Sequence, residues 1–537
     1  MFEVSNQPPP LEPYNLFTSD AVLREAVKRE RAAWAEADLT ALGQTLGTPE
    51  TIQLGFDANA NTPSLRTLDR YGHRLDEVEF HPAWHELLGI ALKAGLHSSP
   101  WAKPQAGAHV TRAAGFYLLN QIESGICCPL AMTYGSVPTL RRAPVIAAEW
   151  LPRIFARDYD RRFRPASEKT AALLGMGLTE NQGGSDLRTN TTRAEPAGDG
   201  SFRLTGHKWF LSAPMCDAFL VLAQAAKGLS CFFMPRWTPD GERNAIHILR
   251  LKEKLGNRSN ASSEVEFDGA YAQLVGEEGR GIPIIIEMAG YTRLDCAVGS
   301  SSLMRQAVTQ AVHHASHRTA FQRRLVDQPL MSNVLADMAI ECEAATVLSM
   351  RLARAYDESD EISQVFRRVV TPAAKFWICK RTPYVAFEAM EVLGGSGYIE
   401  ESVLPRLYRE APVNSIWEGS GNVMCLDVLR AIERTPNAAE VLRHELEDAG
   451  DARLKNFAER LAQRLRSPDR NDETQARALV RELVLALQAA LLVKHSSPAV
   501  ADAFCASRLT AESGGAFGLL PRGLDLRAIA QRAAPTS

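Results

Sequence analysis

The chain has 537 residues, which is too long for one simple core and suggests about three or four domains or layers. Its 45% hydrophobic and 23% charged residues are ordinary for a globular protein, and its net charge of -3 excludes a globally basic protein, so any contact with nucleic acid requires a local basic patch. The nine cysteines are scattered without a CxxC pair, which indicates neither a disulfide framework nor a zinc site and fits a reducing, cytoplasmic setting.

No segment predicts a secretion signal or a membrane anchor. Residues 1–10 contain an acid, Glu3, and three prolines, but no basic region followed by an apolar run. The longest apolar helix-like run, residues 483–493, is far too short to span a bilayer. We therefore expect no signal peptide and no membrane partner.

Residues 1–170 are predicted to form an N-terminal helical domain. Ser19 or Asp20 can cap its first helix, and apolar residues recur at helical spacing after it. Helical patterning continues through residues 81–85 and 110–125, so this third of the chain is expected to be all-helical.

Two histidine pairs have the spacing of metal ligands on one helical face. His81 and His85 are four residues apart, as are His313 and His317. Because the sequence places no suitable third ligand, and Trp84 beside the first pair indicates packing, we expect both pairs to be structural and predict no metal site.

The pattern changes in the middle of the chain. Residues 171–280 contain five short strand candidates separated by turn residues, which predicts a compact antiparallel sandwich or barrel. Helical periodicity then returns in residues 281–436, where three long segments predict a helical bundle. The strand candidates are residues 202–205, 218–223, 229–234, 246–249 and 264–267, and the helical segments are residues 293–321, 329–356 and 361–393.

Residues 437–537 are predicted to form a separate helical domain. One apolar stripe begins at Leu454, and Ser467 followed by Pro468 should end that helix. Asp472 can cap a second helix. The apolar faces consist of Leu454, Phe457, Ala458, Leu461 and Leu465 in the first helix and Leu479, Val480, Leu483, Val484, Leu487 and Leu491 in the second.

A carboxylate, Glu418, lies beside an indole, Trp417, in the stretch Asn414-Ser-Ile-Trp-Glu-Gly-Ser-Gly-Asn422. The two glycines that follow Glu418 give its backbone conformational freedom. Desolvation beside the indole would raise the pKa of Glu418 and suit it to proton abstraction. The alternative interpretation is a solvated loop acid.

The stretch Gly177-Leu-Thr-Glu-Asn-Gln-Gly-Gly-Ser-Asp186 can bind a planar, carbonyl-rich ring, because its turn glycines expose backbone N–H groups and two residues add hydroxyls. Taken alone, the stretch favours a Gly-rich hairpin. It closely resembles the first signature of the acyl-CoA dehydrogenase family. Gly206-His-Lys-Trp-Phe-Leu-Ser212 resembles the strand that follows in this family, and residues 391–410 resemble its second signature, with Glu391 where the family more often has Gln.

The resemblance implies an α+β, mainly α, acyl-CoA dehydrogenase-like fold with FAD as the cofactor. In that family an aromatic residue at the position of Phe210 packs on the flavin, the hydroxyl at Ser212 reaches its N5, and the arginine at Arg318 meets the pyrophosphate. The family's Gly after Phe321 is Gln322 here. The residues implied to contact FAD are Met176, Leu178, Thr179, Gly184, Ser185, Phe210, Leu211, Ser212, Arg318, Phe321, Gln328, Gly394, Gly395, Ile416, Trp417, Gly419, Ser420 and Asn422.

Glu418 falls where many of these enzymes carry the catalytic base, which removes the proton alpha to a thioester carbonyl while the beta hydrogen leaves as hydride. Trp417 is bulkier than the family's usual Tyr and should narrow the acyl pocket. The resemblance therefore implies a short or branched acyl-CoA as the substrate.

The last hundred residues resemble one branch of this family, the flavoproteins of the bacterial adaptive response to DNA alkylation. That resemblance implies a homotetramer that binds double-stranded DNA through its C-terminal domain and keeps weak dehydrogenase activity. The alternative is a working dehydrogenase whose extra domain serves only oligomerisation. The residues expected to meet phosphates are Arg453, Arg460, Arg464, Arg477 and Arg481.

The charge pattern does not decide between a DNA-binding C-terminal domain and one that serves only oligomerisation. Residues 437–537 contain fourteen Lys and Arg against thirteen Asp and Glu, so the domain as a whole is not basic. Residues 453–481 contain eight basic against four acidic residues, which would suffice for a phosphate-binding stripe but equally suits a solvated amphipathic bundle.

Overall fold

A computed structural model describes residues 3–447, 449–510 and 515–535. Contacts divide the chain into two compact units, each of which is built from separate segments of the chain. The sheet unit, as named here, comprises Glu50–Pro104 and Ile122–Thr292. The bundle unit comprises the described residues of Met1–Pro49, Gln105–Gln121 and Arg293–Ser537.

Helices dominate the described residues, and the strands cluster in the middle of the chain. The helices are α1 (Ala21–Arg29), α2 (Glu36–Leu46), α3 (Pro49–Ala60), α4 (Pro82–Lys93), α5 (Ser99–Ala102), α6 (Ala108–Asn120), α7 (Cys127–Leu140), α8 (Pro144–Ile154), α9 (Gly281–His317), α10 (Pro329–Asp357), α11 (Glu361–Leu393), α12 (Gly395–Tyr398), α13 (Val403–Glu410), α14 (Gly421–Arg434), α15 (Ala438–Leu446), α16 (Ala452–Arg466), α17 (Ala476–His495), α18 (Pro498–Arg508) and α19 (Leu526–Ala533). The strands are β1 (Ser64–Leu68), β2 (Arg74–Glu79), β3 (Leu174–Thr179), β4 (Arg193–Pro196), β5 (Phe202–Ser212), β6 (Ala218–Ala225), β7 (Gly228–Pro235), β8 (Ile246–Leu251), β9 (Ser262–Val275), β10 (Thr319–Ala320) and β11 (Arg323–Arg324).

The sheet unit is built on a seven-stranded sheet of β3 to β9. Strand β3 pairs with both β5 and β6, and β9 pairs with β5, β7 and β8. Most pairs are antiparallel, while β6 runs parallel to β3 and β4. The sequence Ala218-Phe-Leu-Val-Leu-Ala223 in β6 is buried throughout, as expected for a strand covered on both faces. All five predicted strands are confirmed.

A hairpin in the first third of the chain corrects the prediction that this third is all-helical. Strands β1 and β2 pair antiparallel. The Asp69 carboxylate accepts hydrogen bonds from the backbone N–H groups of Tyr71 and His73, at 2.7 and 2.9 Å, and so fixes the turn. Gly72 adopts a φ of 90° there. This turn chemistry competes successfully with helical propensity.

The bundle unit is organised around α10. Helix α10 packs against α1, α6, α11, α17 and α19, and its residues from Leu335 to Met350 are all buried. A helix that is buried on every side belongs at the centre of a bundle. The three predicted long helices are confirmed as α9, α10 and α11.

Buried carboxylates on α10 pair with arginines from the C-terminal segment. Arg508 Nη2 lies 2.5 Å from Asp337 Oδ1 and 3.1 Å from Glu341 Oε2. Arg532 Nε lies 3.0 Å from Glu343 Oε2. These pairs attach α18 and α19 to the central helix, so the segment after Pro436 packs within the bundle unit.

The predicted amphipathic helices of the C-terminal segment are confirmed. Leu454, Phe457, Leu461 and Leu465 are buried in α16, which ends before Ser467. The predicted apolar face of α17 is buried as well. Asp472 caps a short turn at Glu473–Gln475, just ahead of α17. No helix in the described ranges is long and apolar enough to cross a membrane.

Asp357, at the end of α10, generates a prediction about pH and stability. Its Oδ1 accepts a hydrogen bond of 2.8 Å from the His109 N–H, and its Oδ2 has no hydrogen-bond partner in the described part of the chain. Burial raises the pKa of Asp357 from 3.8 to about 7. The folded state therefore holds this proton after the unfolded chain has lost it, so stability decreases as the pH rises from about 4 to about 7.

The neutral Asp357→Asn variant should unfold about 2–4 °C higher than the original chain at pH 8, because the cost of ionising a buried carboxyl is removed. At pH 4 and below, where the original carboxyl is also protonated, the two melting temperatures should agree. Thermal unfolding across this pH range tests the expectation. A gain of the same size at pH 4 would show that ionisation is not the cause.

Candidate functional site

Glu418 lies on a short irregular segment between two helical elements. A turn of 3-10 helix at Val413–Ser415 precedes it, and α14 begins at Gly421 with Ser420 as its N-cap. Glu418 is half-buried and has a φ of 58°, and Gly419 follows with a φ of 106°. A non-glycine residue in this left-handed region costs about 1–2 kcal/mol, so the neighbours must hold it there.

Two buried cations hold the backbone around Glu418. The ammonium of Lys375, on α11, donates to the carbonyl oxygens of Trp417 and Gly419 at 2.7 and 2.5 Å. Arg293, on α9, donates from Nε to the carbonyl oxygen of Glu418 at 2.9 Å. Three consecutive carbonyls therefore accept hydrogen bonds from cationic side chains.

Arg293 is itself fixed by an ion pair. Its Nη1 donates to Asp427 Oδ2 at 2.9 Å, and Arg368 Nη2 donates to the other oxygen of Asp427 at 2.8 Å. Arg293 and Asp427 are each mostly buried. The carboxylate of Asp427 thus orients the guanidinium that holds the Glu418 carbonyl.

A second buried pair lies within electrostatic reach of Glu418. Arg112, on α6, forms an ion pair with Asp295, on α9, and both side chains are almost fully buried. Burial raises the pKa of Asp295; Arg112 opposes this rise, and the charge of Glu418 adds to it. Glu418 and this ion pair therefore lie close enough to interact electrostatically.

The other predicted residues of this segment lie beside Glu418 along the chain. Trp417 is half-buried and donates from Nε1 to Asn414 Oδ1 at 3.0 Å, while Ile416 is exposed. Asn422 accepts a hydrogen bond of 2.8 Å from Nε of Arg477, on α17. A residue predicted to bind FAD and one predicted to bind DNA are thus in direct contact.

The sheet unit brings together a second group of predicted residues. Thr179 on β3 is the register partner of Phe210 on β5, and a side chain added at Gly184 would meet the Thr179 methyl at 2.9 Å. The Ser212 hydroxyl lies 3.1 Å from that of Ser262. Leu211 is buried, Met176 and Leu178 are half-buried, and Ser185 is exposed.

A bulge in β5 explains why Phe210 is presented to solvent. The pairing of β5 with β9 shifts between Lys208 and Leu211, so the regular alternation of side chains breaks. Trp209 is 36% and Phe210 46% exposed, and the Lys252 ammonium lies 3.6 and 4.5 Å from the centres of their rings.

The Gly-rich stretch is anchored by a buried ion pair. Lys208 Nζ lies 2.6 Å from Glu180 Oε1, and both side chains are fully buried. Glu180 also accepts hydrogen bonds from the hydroxyl and backbone N–H groups of Thr191 and Thr192. Burial acts to raise the pKa of Glu180, but Lys208 and these donors hold it well below its usual range. Burial lowers the pKa of Lys208 to about 8, against the effect of Glu180.

Arg318, Phe321 and Gln328 come together in the bundle unit. Helix α9 ends at His317, and β10 and β11 form a tight hairpin whose tip is Phe321 and Gln322, with φ of 50° and 64°. Gln322 therefore adopts a conformation that favours the glycine expected at this position. Arg318 Nη1 donates to the Asn6 carbonyl at 2.5 Å, and Gln328 donates to the Ala320 carbonyl at 2.9 Å.

Gly394 and Gly395 join α11 to α12 and are exposed. Gly394 has a φ of 63° and ends α11. A side chain added at either glycine would meet no atom within 4 Å in the described part of the chain. The conformation at Gly394, rather than crowding, therefore favours glycine there.

The predicted phosphate-binding arginines are partly engaged within the chain. Arg453 forms ion pairs with Asp451 and Asp502 at 2.6 and 2.8 Å. Arg464 pairs with Glu482 at 2.8 Å. Arg460 is exposed and lies over its neighbour Phe457, while Arg481 is half-buried. The helical stripe exists, but two of its arginines already have carboxylate partners.

The histidine pairs make structural contacts. His81 caps α4, and His85 Nδ1 lies 2.6 Å from the Tyr159 hydroxyl. His313 contacts the Pro9 carbonyl, and His317 contacts the His313 carbonyl. No cluster of three or more His, Cys, Asp or Glu suited to a metal ion is found in the described residues.

Sequence reasoning missed Lys375, Arg293 and the ion pair of Glu180 with Lys208. One signal was available for Lys375. It follows the apolar run Val369-Val-Thr-Pro-Ala-Ala374 in a predicted bundle helix, and a lone cation in such a run must find buried partners.

Known families match most of the chain. The family described as adaptive response protein AidB N-terminal domain matches residues 6–161. The acyl-CoA dehydrogenase middle domain matches residues 175–270, and the acyl-CoA dehydrogenase C-terminal domain matches residues 279–433.

Relatives that match nearly the whole chain are found among proteins and solved structures. The chain is 50% identical over 517 residues to the putative acyl-CoA dehydrogenase AidB of Escherichia coli (strain K12), with 95% of each chain covered. It is 30% identical over 511 residues to acyl-CoA dehydrogenase family member 11 of Caenorhabditis elegans, covering 90% of this chain and 78% of that one. The crystal structure of Caenorhabditis elegans ACDH-11 in complex with C11-CoA is similar with a TM-score of 0.84 and 27% identity, covering 99% of this chain and 92% of that one.

The buried pair of Lys208 and Glu180 should couple strongly in a stability measurement. The Lys208→Met variant leaves the Glu180 carboxylate buried without its cation and should lose about 3–5 kcal/mol of unfolding free energy. Adding Glu180→Gln to it should recover part of that loss, because no charge is then left buried. Urea unfolding of both variants, with the exposed Lys227→Met as a control, tests this. An equal or greater loss in the double variant would contradict it.

Proposed function

The chain belongs to the acyl-CoA dehydrogenase family, and from that premise we propose that it is an FAD-containing protein of the AidB type. It removes a pair of hydrogens from an acyl-CoA, with low turnover, and it binds and protects double-stranded DNA. The observation that carries the catalytic part is Glu418, a half-buried carboxylate on a left-handed backbone held by Lys375 and Arg293.

The residues of each unit fit a flavin. In the sheet unit, Gly184 packs closely against Thr179, where a side chain would collide with the threonine, and the exposed ring of Phe210 offers an apolar face to a planar ring. Hydroxyls of Thr179 and Ser212 are placed to donate or accept hydrogen bonds. In the bundle unit, Ser420 and Asn422 follow Glu418 directly. FAD, when bound, supplies the acceptor for a hydride.

The proposed reaction forms a carbon–carbon double bond beside the thioester. Glu418 takes the alpha proton, the electron pair of that C–H bond becomes the new double bond, and the beta hydrogen leaves with its pair of electrons as hydride. Both hydrogens and all electrons are thereby accounted for. The relative crystallised with C11-CoA supports an acyl-CoA as the substrate class. Trp417 favours a short or branched acyl chain.

Local charge supports the proposed DNA contact, and the family match supports a role in an adaptive response. The family that matches residues 6–161 is described as an adaptive response protein. Residues 453–481 contain eight basic against four acidic residues, and Arg460 is exposed among them. Binding through such a stripe would rest on phosphates and be largely independent of sequence. We propose that it protects DNA in the response to alkylation.

The ion pairs of Arg453 and Arg464 favour a second candidate function. In it the chain is a working acyl-CoA dehydrogenase, and the C-terminal segment serves only subunit packing and oligomerisation. Both candidates include the homotetramer and the cytoplasm as part of the proposal. All nine cysteines are buried as thiols, the form that a reducing compartment maintains.

The Glu418→Gln variant should keep its flavin but lose dehydrogenation by a factor of about 100 to 10,000, because only the base is removed. Anaerobic bleaching of the flavin absorbance on adding butyryl-CoA or undecanoyl-CoA measures this step. The exposed Glu440→Gln on α15 serves as the control and should bleach at the original rate. Equal rates for both variants would remove Glu418 from the role of base.

Replacing Arg453, Arg460 and Arg464 together by Ala should weaken binding to duplex DNA and reduce the slope of log affinity against log salt by up to about 3. Titrations with a fluorescent duplex across a salt series measure both quantities. A matched control removes three half-exposed, ion-paired arginines elsewhere. These control positions are Arg24, Arg66 and Arg443.

An equal loss in the control would point to net charge rather than to the stripe on α16. Unchanged affinity and slope in the α16 variant would show that another surface binds DNA. No DNA binding by the original chain would favour the second candidate function.

A further inference from the structure

Two cationic side chains hold the backbone of residues 417–419 through its main-chain oxygens. Lys375 joins the carbonyls on either side of Glu418, and Arg293 takes the carbonyl of Glu418 itself. Lys375 is 1% exposed, so its hydrogen bonds are protected from water. Hydrogen bonds from charged donors are about twice as strong as those between neutral groups.

This arrangement fixes the peptide planes around Glu418. In a trans peptide the C=O points opposite to the following N–H, so fixing the carbonyls of residues 417, 418 and 419 also fixes the direction of the three N–H groups that follow. The φ of 58° at Glu418 then sets the direction in which its side chain leaves the backbone. These donors offset the steric preference of a non-glycine residue for another backbone conformation.

We propose that Lys375 is a positioning residue for the candidate base Glu418. Its hydrogen bonds to the carbonyls of Trp417 and Gly419 hold the left-handed backbone that orients the Glu418 carboxylate. In this role Lys375 does not contact the substrate. Arg293, which Asp427 orients, donates a hydrogen bond to the carbonyl of Glu418 between them. This inference rests on the proposed role of Glu418 as the base.

This role predicts that loss of Lys375 changes the rate of alpha-proton removal but not the affinities for ligands. A misplacement of about 1 Å at a reacting group can reduce a rate by about 100-fold. Loss of the Lys375 ammonium should therefore slow removal of the alpha proton, while the affinities for the acyl-CoA and FAD stay close to their original values. A merely structural lysine would instead reduce stability, flavin content and acyl-CoA binding together.

The test measures alpha-proton removal separately from hydride transfer. Holoprotein is incubated anaerobically with butyryl-CoA in D2O, and the deuterium incorporated at the alpha carbon is followed by mass spectrometry. Flavin content is read from absorbance, and butyryl-CoA affinity from titration. The variants are Lys375→Met, Lys375→Gln, Glu418→Gln and the control Lys494→Met. Lys494 is an exposed lysine of α17 that also donates to a carbonyl, that of Glu445, at 2.9 Å.

We expect Lys375→Met to exchange about 100-fold more slowly, with flavin content and butyryl-CoA affinity within about twofold of the original chain. Lys375→Gln, which keeps neutral N–H donors, should lose about 10-fold. Lys494→Met should be unchanged. If Lys375→Met does not fold, the Gln variant decides, and exchange at the original rate in that variant overturns the proposal.

The remaining outcomes separate this inference from the proposed function. If the original chain incorporates no deuterium, or if Glu418→Gln incorporates it at the same rate, the proposed function fails. If Glu418→Gln loses exchange while Lys375→Met keeps it, only the inference on Lys375 fails. Parallel loss of exchange, flavin and affinity in Lys375→Met would assign the lysine a structural role and overturn the inference.

Discussion

The bundle unit depends on the pairing of carboxylates that α10 buries. Asp337, Glu341 and Glu343 are buried on α10, where an unpaired charge would cost several kcal/mol. Arg508 and Arg532 supply the cations from the C-terminal segment. The last hundred residues are therefore part of the scaffold that carries the candidate site. Removing them to test DNA binding would deprive Asp337 and Glu343 of these arginines, while Glu341 would keep its ion pair with Arg381 on α11.

Elements with a strong local pattern were predictable from the sequence. The strands of the middle region and the long helices α10 and α11 follow from uninterrupted apolar runs and helical periodicity. The hairpin at Ser64–Leu68 and Arg74–Glu79 was not predicted, because its stability depends on side-chain hydrogen bonds in a turn. From the sequence alone, the three acidic residues of α10 would be assigned to a solvent-exposed face, because the arginines that pair with them are distant in the chain.

In the candidate site, too, residues that are contiguous in sequence were predictable, and contacts between distant residues were not. Glu418 and its neighbours are contiguous in sequence, and the Gly-rich stretch carries its own turn chemistry, so both could be recognised from the chain alone. Lys375 lies 42 residues from Trp417, and Arg293 lies 125 residues from Glu418. No local pattern reports contacts over such separations. For the same reason, helical spacing predicted the arginine stripe on α16 but not the carboxylates that pair with it.

Because Lys375 and Arg293 contact main-chain oxygens, the identity of the side chain at position 417 is separate from the geometry of Glu418. The indole of Trp417 makes its own hydrogen bond to Asn414 and takes no part in holding the carbonyls. In the proposed function, evolution can therefore exchange the aromatic residue at position 417 while Glu418 keeps its orientation. On that proposal, we expect acyl-chain preference within this branch to diverge by single substitutions at position 417 that leave the proposed base in place.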